Sequence, residues 1–258
     1  GENLEDLTDT IIFTSINKEG KITLVSIPRD IWINEIQAKI NTAYHYGGPD
    51  LIKKTIQNML GQKVSYYLIV NFSGFEKAVD LLGGVAINVQ KGFDDYLYPI
   101  SGKENDLCDS DKEFKCRYEH LHFDVGPQLM DGKTALKFVR SRNAEGEEGT
   151  DFARVQRQQL FLGAFKEKLT LPEASLHPKK MFNLFNIFRE STITNIRENQ
   201  YGGLLFLLSK GQWNNLKTVV LDGGLLIHPA THYSKQWVLV PKTGDWQEVQ
   251  DYVKKLLD

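Results

Sequence analysis

In the segment FVRSRNAEGEEGTDFARVQRQQ, residues 138–159, Arg140, Arg142, Arg154 and Arg157 stand close to Asp151 and Gln158. Guanidinium forks bind phosphate oxygens in pairs of parallel hydrogen bonds. A helix start adds free backbone N–H groups that also favour an anion. Arginines arriving from a helix end, a loop and the next helix start, with no histidine among them, point to a diphosphate or phosphodiester rather than a carboxylic ester. Acids at 145, 147, 148 and 151 equal the arginines in number, so a salt-bridged surface loop is the competing reading. The segment VSIPRD, residues 25–30, has the same character. It leaves Arg29 and Asp30 at the end of an apolar run, where α/β folds often place their sites. Asp9 opens the run before it, either as a strand-end cap or as a ligand for Mg2+, a cation that takes a few hard oxygens and keeps several waters. No Walker, G-x-S-x-G, H-E-x-x-H or G-x-G-x-x-G motif occurs, so phosphate binding would rest on arginines.

These residues need elements to carry them. MDGKTALKFVRSR reads as a helix capped by Asp131 that delivers Arg140 and Arg142 near its carboxyl end. After the NAEGEEG loop, Thr150 or Asp151 caps a long helix reaching about Leu169. On that helix Asp151, Arg154 and Gln158 share a face within about 60°, with Arg157 about 60° beyond Arg154. Leu162, Phe165 and Leu169 continue the stripe. A polar-then-apolar face suits a charged headgroup above a greasy chain, and equally suits a core helix whose first turns emerge into solvent.

Elsewhere, DTIIFTSI and KITLVSI read as strands joined by the NKEG turn, and VSYYLIVNF (64–72) as a buried strand. Ser73 and Glu76 form a capping-box pattern before a helix that stops at Gly83-Gly84, and VAINV (85–89) is a further strand. Residues 92–127 read as a long decorated loop. Helices over 178–191 and 201–211 alternate with strands in LKTVVLDG and QWVLVPKTG before a final helix. Interleaved elements with an early hairpin predict a layered α/β fold on a mixed rather than purely parallel sheet.

The chain has 258 residues, 41% of them hydrophobic, enough for a sizeable core. A net charge of −2 argues against a general nucleic-acid or anionic-membrane surface. No apolar run is long enough to span a bilayer, and Gly1, followed at once by polar residues, looks like a cut edge. Cys108 and Cys116, with seven residues between them, suit a small disulfide loop worth ~2–3 kcal/mol. That favours a compartment outside the cytoplasm. Because His120 and His122 follow closely, a zinc site using them stays open, although the spacing fits no common zinc motif.

Taken in order, LTDTIIFTSI, ITLVSIPRD, KINTAYHYGG, VNFSGFEKAVDLLGGV, FDDYLYPI, LMDGKTALKFVRSRN and GTDFARVQRQQ resemble the LytR-CpsA-Psr proteins, ligases of cell-wall glycopolymers. The resemblance covers roughly residues 5–170; residues 171–258 correspond to a variable carboxyl-terminal part of the same single domain, 1–258. It implies a three-layer α/β/α sandwich around a mixed central sheet, enclosing a hydrophobic channel. It also implies a phosphotransferase on the extracytoplasmic face of the membrane. Such an enzyme moves a glycan from a polyprenyl-diphosphate carrier to peptidoglycan through a phosphodiester and releases polyprenyl phosphate. An amino-terminal membrane helix, and a strand bearing a further aspartate of the metal region, are expected upstream of the residues given. Carried over by position, Arg29, Arg140, Arg142, Arg154, Arg157 and Gln158 bind substrate, and Arg29, Asp151 and Arg154 are catalytic. Asp9 is the ligand of Mg2+ or Mn2+. A diphosphate hydrolase and a non-catalytic prenyl-phosphate-binding module are the alternative functions.

Overall fold

The computed structural model describes residues 7–171, 177–212, 216–221 and 224–258, with only the backbone at Asp151, Leu205, Leu208 and Ser209. In chain order the strands are β1 (Ile11–Ile16), β2 (Ile22–Ile27), β3 (Trp32–Ile33), β4 (Ala38–Lys39), β5 (Leu68–Val70), β6 (Val85–Val89), β7 (Phe93–Pro99), β8 (Tyr118–Phe123), β9 (Gly126–Met130), β10 (Thr192–Thr194), β11 (Lys217–Val220), β12 (Leu226–Ile227) and β13 (Val240–Pro241). The helices are α1 (Ala43–Leu60), α2 (Phe72–Leu81), α3 (Gly132–Arg140), α4 (Asp151–Thr170), α5 (Pro178–Ser191), α6 (Tyr201–Lys210) and α7 (Gln247–Leu257). The chain forms two compact units, Gly1–Leu68 with Thr194–Asp258, and Ile69–Ile193. It passes between them within β5 and again within β10.

The first unit is built on β2, whose six residues are all buried. β1 pairs with it antiparallel and β11 pairs parallel on its other edge, so the sheet is mixed, as expected. Asn17 closes the NKEG turn: its side-chain oxygen accepts from the N–H groups of Glu19 and Lys21. Val25, Ile27, Ile31, Ile40, Met59 and Leu60 form a core with Val249 and Val253 of α7. α1 ends at Gly61, which takes the left-handed conformation that glycine adopts at least cost.

The second unit pairs β6 with β9 and β7 with β8, all antiparallel. α2 packs on α3 and α5, and α4 packs on α3 and β6. α2 and α3 approach closely at Gly132, where any side chain would strike the Glu76 backbone, and the Gly132 N–H donates to Asp80 at 2.7 Å. Val79, Val85, Ile87, Met130, Phe138 and Phe161 fill this core.

Three expectations differ from the structure. The run 64–72 is strand only at Leu68–Val70, and Leu68 and Val70 are about half exposed, at 49% and 46%. Side chains replace a ladder over its first part: Asn195 accepts from Tyr67 N–H and donates to the Ser65 carbonyl. α2 is capped by Asn71, whose oxygen accepts from Gly74 N–H, rather than by Ser73. Asparagine caps as well as serine and comes first along the chain. Residues 92–127 form the β7–β8 hairpin, with the Cys108–Cys116 disulfide in its loop. The alternation of FDDYLYP and YEHLHF, the period-2 mark of a half-buried strand, had been hidden by the charged residues around it.

Candidate active site

In the second unit Asp131 caps α3 as expected, accepting from Thr134 N–H at 2.7 Å. Arg140 is the last residue of the helix, and the chain turns sharply at Ser141. The last carbonyls of any helix lack partners within it. Here α4 supplies them. Arg157 donates from Nε to the Phe138 carbonyl at 3.1 Å and from Nη2 to the Ser141 carbonyl at 2.7 Å. Gln158 Nε2 donates to the Val139 carbonyl at 3.4 Å. The Nη1 group of Arg157 donates to the carbonyl and carboxylate of Glu148, each at 2.9 Å. Burial, with only 3% of the residue exposed, pulls this guanidinium below its ordinary value, while Glu148 and then Asp95 pull it back up. Arg157 thus braces the turn, and its donors point into the protein.

The other side of the turn is gripped by Asp95, which is fully buried. Its Oδ2 accepts from Ser141 Oγ at 2.6 Å and from the N–H groups of Arg142 and Asn143 at 3.3 and 3.2 Å. Its Oδ1 accepts from Leu97 N–H at 3.0 Å. Between these grips Arg140 and Arg142 emerge half-buried. The Arg140 guanidinium lies 4.0 Å over the Phe72 ring, and its Nη1 is 3.5 Å from the Tyr98 hydroxyl. Arg154 is buried one turn before Arg157 and Gln158. Thr150 caps α4, accepting from Ala153 N–H; the side chain of Asp151 lies outside the described residues. On the continuing stripe, Leu162 and Phe165 pack against the core of this unit.

In the first unit Arg29 follows β2 and Pro28. Its Nη1 donates to Asp9 Oδ1 at 2.9 Å, and its Nε lies 3.6 Å from Asp30 Oδ2. Lys39 donates to Asp30 Oδ1 at 2.8 Å. The segment carrying Asp9 is held by Thr8, whose N–H and hydroxyl both donate to the Asn41 carbonyl. Two carboxylates here sit beside two cations rather than in an all-acid cage. Asp9 and Asp30 carry the hard oxygens that a Mg2+ ion would take, and Arg29 and Lys39, their present partners, would have to yield to it.

A family model, LytR_cpsA_psr, matches residues 2–255. The chain belongs to this family. The LytR-CpsA-Psr match includes the tail that the sequence resemblance left as variable. Among curated relatives, the polyisoprenyl-teichoic acid–peptidoglycan teichoic acid transferase TagU of Oceanobacillus iheyensis is 28% identical over 84% of this chain and 62% of its own length. The regulatory protein MsrR of Staphylococcus aureus is 33% identical over 66% of this chain and 45% of its own. The chain therefore spans less than two thirds of these relatives. Among solved structures, TagV of B. subtilis superposes with a TM-score of 0.66 at 23% identity, over 98% of this chain and 90% of that one. TagT bound to LIIa-WTA gives 0.64 at 25% identity, over 97% and 86%.

Within this LytR-CpsA-Psr chain, sequence reasoning missed Asp95, Ser141, Phe72 and Tyr98. Only Asp95 left a signal: an acid at an inward-facing register in an alternating strand, which requires buried donors to meet it.

Proposed function

We propose that the chain is the catalytic domain of a phosphotransferase acting outside the cytoplasmic membrane. It moves a glycopolymer from a polyprenyl-diphosphate carrier to a peptidoglycan hydroxyl. The family match over residues 2–255 carries this reading, and the relative named a teichoic acid transferase gives the reaction class. The disulfide supports an oxidising compartment.

In this reading Arg140, Arg142 and Arg154 bind the donor's phosphate oxygens, and Arg29 is the further substrate-binding arginine that the family resemblance assigns. Arg157 and Gln158 hold the carbonyls behind Arg140 and Arg142, so these two meet a phosphate already ordered. Asp151 orients Arg154 or takes the acceptor's proton. The acceptor oxygen bonds to the sugar-linked phosphorus, and the bond from that phosphorus to the bridging oxygen breaks. The bridging oxygen leaves on polyprenyl phosphate. Guanidinium charge stabilises the negative charge that moves onto it, the dominant contribution in phosphoryl transfer. Mg2+ or Mn2+, held by Asp9, would neutralise further phosphate charge. Exposed apolar side chains on α5, among them Met181, Phe182 and Phe185, offer surface to a prenyl chain whose burial contributes roughly 0.8 kcal/mol per CH2.

The test is transfer from a lipid-linked glycan to peptidoglycan with purified protein. Arg29→Ala and Arg154→Ala should each lose at least ~2 kcal/mol of transition-state stabilisation, about thirtyfold in rate. Wild-type rates in both variants would overturn the assignment. Release of polyprenyl phosphate without phosphate on the acceptor glycan would make the protein a hydrolase. Lipid binding without turnover would make it a binding module.

A further inference from the structure

The outward face of the β7–β8 hairpin carries a cluster that the glycopolymer reaction does not use. Asp94 and His122 are directly opposed in the antiparallel register, and His120 lies two residues from His122 on the same face. Asp94 Oδ1 is 2.6 Å from His120 Nε2 and 2.8 Å from His122 Nδ1. All three ligand atoms lie within 4.8 Å of one another. We propose that Asp94, His120 and His122 bind a zinc ion, which joins the two strands of the hairpin and leaves one coordination position for water.

The chemistry selects the metal. Two imidazole nitrogens and one carboxylate oxygen suit zinc, whereas Mg2+ and Ca2+ take oxygen ligands. Tetrahedral zinc with bonds of about 2.0–2.1 Å separates its ligand atoms by about 3.4 Å. The two oxygen–nitrogen spacings, 2.6 and 2.8 Å, are shorter than this and widen to it when the ion enters. The supports of a metal-binding histidine are also in place. His122 presents its other nitrogen, Nε2, to Asp124 at 3.1 Å, the carboxylate–histidine arrangement that fixes tautomer and ring angle. The His120 ring stacks on Tyr96 with centroids 4.2 Å apart and planes 8° from parallel. The nearby cysteines are joined to each other, so no thiolate competes for the ion. Bound zinc would also stiffen the strand that presents Asp95 to the arginine turn, since Asp94 and Asp95 are consecutive and the Asp94 carbonyl accepts from Glu145 N–H at 2.9 Å.

The test uses the untagged chain with its disulfide intact, stripped by chelator, then titrated with Zn2+ alone in a calorimeter and assayed for metal after desalting. One zinc per chain is expected, together with a rise in melting temperature. Co2+ in its place should give the visible bands of a four-coordinate site. His120→Ala/His122→Ala should bind none, and Asp124→Asn should bind about 10–100-fold more weakly. Asp9→Asn should still bind one zinc, which separates this site from the proposed Mg2+ site. Should the double variant fail to fold, Asp94→Asn asks the same question through loss of binding. Zinc bound no more tightly than Mg2+, or a stoichiometry that these hairpin substitutions leave unchanged, would overturn the proposal.

Discussion

Asp94 and Asp95 are adjacent on one strand, carry the same side chain, and end in opposite surroundings. Strand alternation turns Asp95 inward, where it is fully buried and accepts from a hydroxyl and three backbone N–H groups. It turns Asp94 outward, where it meets two exposed histidines. The inner carboxylate fixes backbone, and through it the position of Arg140 and Arg142. The outer one gathers side chains that can rearrange around a ligand. Rigidity and responsiveness are thus assigned to the two faces of a single hairpin, and the choice follows from burial rather than from residue type.

The largest effect that would sharpen this contrast is at Asp95. Asp95→Ala leaves Ser141 Oγ and the N–H groups of Leu97, Arg142 and Asn143 without their acceptor. The buried Ser141 hydroxyl, left without an acceptor, costs about 1–3 kcal/mol, and the three part-buried N–H groups add less each because water can reach them. Urea unfolding should show a loss of about 3–5 kcal/mol. A loss no greater than that of Asp94→Ala would break the comparison. Next is Arg157→Ala, which strips carbonyls from the end of α3 and leaves Glu148, whose side chain is 15% exposed, without its cation. Breaking a buried pair in this way costs about 3–5 kcal/mol at most, less here because Glu148 can reach water. Arg157→Lys should recover only part of the loss, because an ammonium cannot reproduce the fork that reaches Phe138, Ser141 and Glu148 together. Transfer activity should fall in step with stability in these variants. In Arg29→Ala activity should fall while stability holds.

How far the sequence revealed this differs between the elements and their contacts. Asp131 capping α3, a cap for α4 at Thr150 or Asp151 and the NKEG turn were readable because each depends on residues three or four apart. The mixed sheet followed from the early hairpin. The grip of Asp95 on Ser141 was not readable, since 46 residues separate them and nothing local marks the pair. Arg157 illustrates the same limit. Its charge matched that of Arg154 and its helical phase lay only about 60° away, and only the position of the α3 carbonyls distinguishes a brace from a ligand contact. The hairpin was missed for another reason: acids and histidines on its outer face diluted the apolar alternation of its inner face. The cysteine pairing, by contrast, needed only the short spacing within the loop.

The smallest expected effect belongs to the outer face, and pH gives it a signature. Hydrogen bonds from His122 and then His120 lower the Asp94 carboxyl from its ordinary value, and hydrogen bonds to Asp94 and then Asp124 raise His122. A lowered carboxyl contributes stability above its unfolded value, near 3.9, and loses it as pH falls through the folded one. A raised imidazole contributes fully below its unfolded value, near 6.5, and loses it as pH rises through the folded one. With chelator present, the pair's contribution should therefore be complete between those two ordinary values and decline on either side. Because the groups are solvent-exposed, the change should be a slight shift in melting temperature that added salt reduces. Asp94→Asn should flatten the acid side and reduce the alkaline side, where Asp124 still raises His122, while leaving the unfolding cooperativity of the unit intact. If Asp94→Asn instead lowered stability as much as Asp95→Ala at every pH, the outer carboxylate would be structural, and the division of labour between the two faces would fail.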